Sequence, residues 1–127
     1  MKKLLLIVNP NAGKGGYRDA LGEALPVFYA GGYMPSVCFT AAPGDATTLA
    51  RTLAPQYDLI ACMGGDGTLS EVTAGLAALD AAPPLGYIPM GTANDVASSL
   101  RLSRDAAAAA RTVVDGAFSS CSTTAVW

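Results

Sequence analysis

Hydrophobic positions along this 127-residue chain fall into two alternating periods. Leu4-Leu5-Leu6-Ile7-Val8 is a short unbroken apolar run, as expected of a strand covered on both faces. Asn9 to Gly16 follows as a loop with three glycines, and then Tyr17, Leu21, Ala24 and Phe28 recur at helical spacing. Gly22 and Pro26 weaken that helix, and Pro26 is expected to kink or restart it. Gly31-Gly32 closes it. Ser36 to Thr40 reads as a second strand. Ala46, Leu49, Ala50 and Leu53 carry the next helical stripe, with Asp45 as its N-cap. Leu59 to Met63 is the third strand, and Leu69, Val72, Leu76 and Leu79 mark the third helix. Pro83-Pro84 then precedes a fourth strand, Leu85 to Ile88. Asn94 to Leu100 begins another helix, and Asp105 to Val114 forms a further Ala-rich one.

Strand then helix, about four times over, predicts an α/β fold: a mostly parallel sheet with helices on both faces. Ligands in such sheets bind beyond the carboxyl ends of the strands. Three loops at those ends, 9–16, 64–68 and 89–95, are chemically distinctive, and loop 40–45 lies at the same edge. After Asp115 the pattern changes. Phe118 to Trp127 is rich in Ser, Thr and Cys with no helical stripe, and reads as the start of a strand whose partners lie elsewhere.

Composition narrows the chemistry. With 51% hydrophobic and 14% charged residues, the chain suits a compact core rather than disorder. A net charge of −2 gives no general basic surface for nucleic acid. The chain has no histidine and no CxxC spacing, which removes a His-based triad and argues against a zinc site. Cys38, Cys62 and Cys121 are widely spaced, as expected of reduced thiols in a cytoplasmic protein. The apolar run after Met1-Lys2-Lys3 is too short for a signal peptide core, and no run is long enough to span a membrane.

Gly64-Gly65-Asp66-Gly67-Thr68, directly after the third strand, is the most informative motif. Glycines permit close approach of the backbone, and the start of a helix after such a turn is an anion site. Asp66 can hold a metal ion or orient a phosphate-bound one. A plain capping box between Thr68 and Glu71 fits the same residues. Asn9 to Gly16, with Lys14 and Arg18, could neutralise a polyphosphate, or be an ordinary strand–helix loop. Pro89-Met90-Gly91-Thr92-Ala93-Asn94-Asp95 repeats the logic after the fourth strand, with a Thr92–Asp95 cap as the simpler reading. A Walker A loop is absent, and GxGxxG fails because position 18 is Arg. Two carboxylates beside a polyphosphate would repel it unless a cation stands between them, so the pattern suits a magnesium nucleotide.

In their order and spacing, Asn9-Pro10 with its glycine loop, GGDGT at 64–68 and GTAND at 91–95 resemble the diacylglycerol kinase catalytic domain family, which includes bacterial lipid kinases and the sphingosine and ceramide kinases. The resemblance covers residues 3–115. GGDGT alone is shared with NAD kinases, so an NAD kinase-like enzyme is the alternative, as is a non-catalytic nucleotide-binding module. The resemblance implies an ATP-binding domain over 1–116 and, at 117–127, the start of a β-rich second domain. It implies that ATP is held by Asn9, Lys14, Thr40, the loop Gly64, Gly65, Asp66, Gly67, Thr68, Leu69, Ser70 and Glu71, and Thr92. Asp66 and Asp95 match acidic positions tied to magnesium and catalysis. The family's second domain supplies the catalytic base and much of the lipid pocket, so this chain alone is expected to bind nucleotide with little or no phosphoryl transfer. A lipid substrate implies a cytoplasmic protein in transient contact with a membrane surface, and a surface left by a missing domain could drive homo-oligomer formation.

Overall fold

The structure, a computed structural model, describes residues 1–12, 16–90 and 106–115. Along the chain these form β1 (Lys2–Val8), α1 (Tyr17–Ala30), β2 (Tyr33–Phe39), α2 (Asp45–Leu53), a single 3-10 turn (Ala54–Gln56), β3 (Leu59–Gly64), α3 (Asp66–Ala77), β4 (Leu85–Pro89) and α4 (Ala106–Val114). The four strands form one parallel sheet in the order β2-β1-β3-β4. The predicted α/β class with helices on both faces is what the chain adopts. The Asn94–Leu100 helix, the boundary at 116 and the strand after Phe118 fall outside the described residues.

Each strand divides its apolar residues between two cores, because successive side chains point to opposite faces. Leu4, Leu6 and Val8 meet Ala20, Ala24 and Phe28 of α1 and Ala109, Ala110 and Val113 of α4. Leu5 and Ile7 meet Ala46 and Ala50 of α2 and Leu69, Val72 and Leu76 of α3. Residues Leu4 to Val8 are all fully buried. At roughly 1.5–3 kcal/mol for each large apolar side chain, that one strand is a main source of the driving force for folding. Glycine permits two close approaches. A Cβ on Gly75 would lie 2.5 Å from the Thr47 carbonyl oxygen, so α2 and α3 pack backbone to backbone there, and a Cβ on Gly86 would meet Val113 of α4 at 2.5 Å.

Local differences from the sequence pattern have physical reasons. α1 runs as one element from Tyr17 to Ala30 with Pro26 inside it, instead of restarting there. Ala24 and Phe28 on either side of Pro26 are buried and hold the helix to the sheet. The helix ends on Gly31, and Gly32 takes a left-handed φ of 92°. β2 begins at Tyr33, three residues before the predicted start, and its Pro35 is tolerated because β2 is an edge strand. Asp45 is not an N-cap. That position belongs to Gly44, whose φ of 91° suits glycine, and Asp45 is the first helical residue. α3 starts at Asp66, two residues before Thr68, and ends before Leu79. No described helix is long and apolar enough to cross a membrane.

Candidate functional site

Strand order sets the place of the site. From β1 the chain moves outward to β2, then crosses back over β1 to β3, so the connections leave β1 and β3 on opposite faces. The carboxyl ends of β1 and β3 therefore diverge around a crevice, the usual ligand position in open parallel sheets. Backbone hydrogen bonds carry the ladder past the strands and fix the loops at that edge. Asn9 N–H donates to the Met63 carbonyl at 3.0 Å, Thr40 N–H to that of Val8 at 2.9 Å, and Met90 N–H to that of Gly64 at 2.9 Å.

A cleft of about 290 Å³ opens at this edge. It draws on the segments after three of the strands: Asn9 and Asn11 after β1, Thr40 to Pro43 after β2, and Gly67, Thr68 and Glu71 of α3 after β3; Pro89 and Met90 do not line it. The predicted residues Asn9, Thr40, Gly67, Thr68 and Glu71, up to 62 positions apart in sequence (71 − 9), thus share one wall-to-wall space.

Asn9 organises the cleft's centre. Its Oδ1 accepts from the Asn11 N–H at 3.0 Å, fixing the first loop, while its Nδ2 donates to the Thr68 hydroxyl at 3.3 Å. Thr68 is buried with 6% of its surface exposed. Gly64 makes room for it, since a Cβ there would lie 2.6 Å from the Thr68 Oγ1. Gly65 and Gly67 are different. A Cβ on either would meet nothing within 4 Å, and neither has a left-handed φ. Neither folding nor packing therefore asks for glycine at 65 or 67. What their missing side chains leave is open backbone at the start of α3, where the N–H groups and the helix dipole favour an anion.

The capping box does not form. Thr68 lies within α3 and its hydroxyl faces Asn9, while the Glu71 Oε1 accepts from the N–H of Gly44, at the start of α2, at 3.1 Å. Asp45 also turns back into its own loop: its Oδ2 accepts from the N–H groups of Ala41 at 2.7 Å and Ala42 at 2.9 Å. The lining residues Asn11, Ala41, Ala42, Pro43 and Ala46 and the role of Asp45 escaped the sequence reading, although the Pro43-Gly44-Asp45 turn signal was present.

The remaining predicted residues are placed as follows. Asp66 is exposed in the first turn of α3, where a carboxylate also complements the helix dipole. Ser70 is exposed, whereas Leu69 is 7% exposed and packs in the core with α2, so its side chain faces away from the cleft. Arg18 lies over the Tyr17 ring, 5.9 Å from its centroid, and Tyr17 packs edge-on against Phe39 at 5.5 Å. Lys14, Thr92 and Asp95 lie outside the described residues. Among the described residues no three acidic or cysteine side chains gather as a metal site. Glu71 is the one charged side chain among the described lining residues, so from these residues a polyphosphate would meet a carboxylate and no positive group. A divalent cation bound with the phosphates fits that charge balance, with Asp66 at the anion-attracting helix start.

Comparison with known proteins agrees with this geometry. The family model described as the diacylglycerol kinase catalytic domain matches residues 3–126. A diacylglycerol kinase of Bacillus subtilis is 44% identical over 118 residues, covering 91% of this chain and 39% of that protein. One from Staphylococcus epidermidis is 42% identical over 116 residues, covering 91% of this chain and 37% of its own length. A crystal structure of a diacylglycerol kinase from Bacillus anthracis superimposes with a TM-score of 0.78 at 39% identity, covering 90% of this chain and 42% of that one. The chain spans about two-fifths of the length of these relatives. With the fold, the loops and the sequence match in agreement, the chain belongs to the diacylglycerol kinase catalytic domain family.

Proposed function

We propose that this chain is the nucleotide-binding part of a lipid kinase that moves the γ-phosphoryl group of ATP to a lipid hydroxyl of the diacylglycerol type. The observation that carries this reading is the open backbone at Gly65 and Gly67 beside the Asn9–Thr68 contact, at the crevice between β1 and β3. Names of the relatives support the lipid acceptor over NAD.

In this reading, ATP with magnesium supplies the activated phosphoryl group and the charge neutralisation that lets it transfer. The chain's own residues bind and orient. The N–H groups at the start of α3 face the phosphates, with Thr68 and Asn9 fixing their approach. Asp66, together with Asp95, engages the magnesium, and Lys14 and Thr92 complete the phosphate contacts. Thr40 and the apolar shelf of Ala41, Ala42 and Pro43 border the nucleotide's remaining side. Positioning and electrostatics, rather than covalent chemistry, are what a protein contributes to phosphoryl transfer. Contact with a lipid acceptor places the protein at a membrane surface during turnover.

Two measurements test this. Calorimetric titration of the 127-residue chain should show ATP binding that depends on magnesium and weakens about tenfold or more in Asp66→Ala, a loss typical of a charged contact. The longest open reading frame containing these residues should phosphorylate diacylglycerol in mixed micelles. Phosphorylation of NAD instead would overturn the lipid reading, and ATP binding indifferent to both magnesium and Asp66 would overturn the metal assignment.

A further inference from the structure

Tyr87 of β4 is the largest fully buried side chain among the described residues, and it carries a hydroxyl. Phenylalanine would fill the same space in the α2–α3 core with no polar atom to satisfy. A buried hydroxyl needs a partner. This one donates to the Gly64 carbonyl at 3.3 Å. The same carbonyl accepts from the Met90 N–H at 2.9 Å. One oxygen with two lone pairs thus receives two donors, a side chain from the core and a backbone group from the end of β4.

That oxygen decides where an amide hydrogen points. The Gly64 C=O and the Gly65 N–H belong to one planar peptide group, and it is trans. β3 lies between β1 and β4. With the carbonyl turned toward β4, the Gly65 N–H is turned toward β1, into the crevice where Asn9 meets Thr68. Gly65 is the N-cap of α3, so this N–H stands at the positive end of that helix. A peptide group between two glycines rotates easily, because neither neighbour has a Cβ to restrict it. Turned by half a rotation, it would present its carbonyl oxygen to an anion. The two donors on the oxygen oppose that rotation.

We infer that Tyr87 is a positioning residue for the Gly64–Thr68 loop. Its hydroxyl, together with the Met90 N–H, locks the Gly64–Gly65 peptide with the Gly65 N–H facing the crevice. Tyr87 does not line the cleft, and it acts on a bound phosphate through this one peptide group. The consequence for binding rests on the nucleotide reading above, whereas the lock itself stands apart from it.

The test compares the unmodified chain with Tyr87→Phe, which removes one oxygen and keeps the ring. Tyr87→Phe should bind ATP–magnesium about fivefold more weakly, the loss expected of one neutral hydrogen bond. Its Gly64 carbonyl-carbon resonance should move upfield by NMR, and the Gly65 amide resonance should move with it. Phe28→Leu serves as the control, since it shortens a buried side chain in the core on the other face of the sheet. It should lower stability and leave both resonances and the affinity as they are in the unmodified chain. Unchanged affinity in Tyr87→Phe overturns the inference, as does an unmoved Gly64 resonance. An equal loss of affinity in Phe28→Leu also overturns it, because the effect is then one of general stability. Should Tyr87→Phe fail to fold, the same two substitutions in the longest open reading frame containing these residues decide by kinetics. A KM for ATP raised about fivefold in Tyr87→Phe alone supports the inference, and an unchanged KM overturns it. Should the unmodified chain bind no ATP, the nucleotide reading fails by itself, and the Gly64 resonance still decides the lock.

Discussion

At the scale of single residues, what a side chain touches often differs from what its neighbours in sequence suggest. Thr68 and Glu71 have capping-box spacing, yet one turns to Asn9 and the other to Gly44. Cys62 gives a sharper case. It is wholly buried on the α2–α3 face of β3, and burial without a charge partner pushes its thiol far above the ordinary thiol range. The sign of the linkage follows. A raised pKa in the folded state means that, above the unfolded thiol's value near 9.0, the folded protein keeps a proton that the unfolded chain releases. Ionisation therefore favours unfolding, and stability should fall with rising pH by about 1.4 kcal/mol per unit beyond that point. Comparing urea unfolding of the unmodified chain and Cys62→Ala between pH 8 and 10.5 isolates this slope from other groups. Equal slopes in the two proteins would refute it.

At the scale of elements, α1 shows packing overriding propensity. A proline inside a helix removes one hydrogen bond and crowds the carbonyl four residues back, at a cost of about 3 kcal/mol. α1 absorbs that cost through Ala20, Ala24 and Phe28, which sit against β1 and α4, while Pro26 itself is exposed. Pro26→Ala should accordingly stabilise the protein by about 1–3 kcal/mol, read as a higher midpoint in chemical unfolding. The same balance explains what could be read in advance. Strands β1 and β3 and the stripes of α2 and α3 were legible because burial imposes their periodicity directly. The early start of β2 was hidden by Pro35, whose tolerance comes from sheet order, a property of the whole sheet. For the candidate site, Asn9 and Thr68 were legible as motifs, and Thr40 only through the family resemblance. The bridge from Glu71 to Gly44 was not, because it depends on how close α2 and α3 lie, which Gly75 decides and no local pattern announces, and the turn of Asp45 onto Ala41 and Ala42 was missed because a capping role for Asp45 fits the same local sequence.

At the scale of the molecule, the sheet order β2-β1-β3-β4 does two things at once. It opens the crevice at the carboxyl ends of β1 and β3, and it places β1 inside the sheet between its sequence neighbour β2 and the non-consecutive strand β3. That arrangement has a consequence for biogenesis. β1 is synthesised well before β3, but its pairing from Leu4 to Val8 is completed only by Leu59 to Met63. A nascent chain ending before residue 59 can pair β1 with β2 alone and leaves one edge of a five-residue apolar run open to other chains. A polypeptide of residues 1–58 should therefore lack cooperative unfolding and sediment as aggregate, whereas the 127-residue chain should unfold in a single transition. Such an open edge makes the interval between the emergence of β1 and that of β3 from the ribosome the stage at which aggregation is expected.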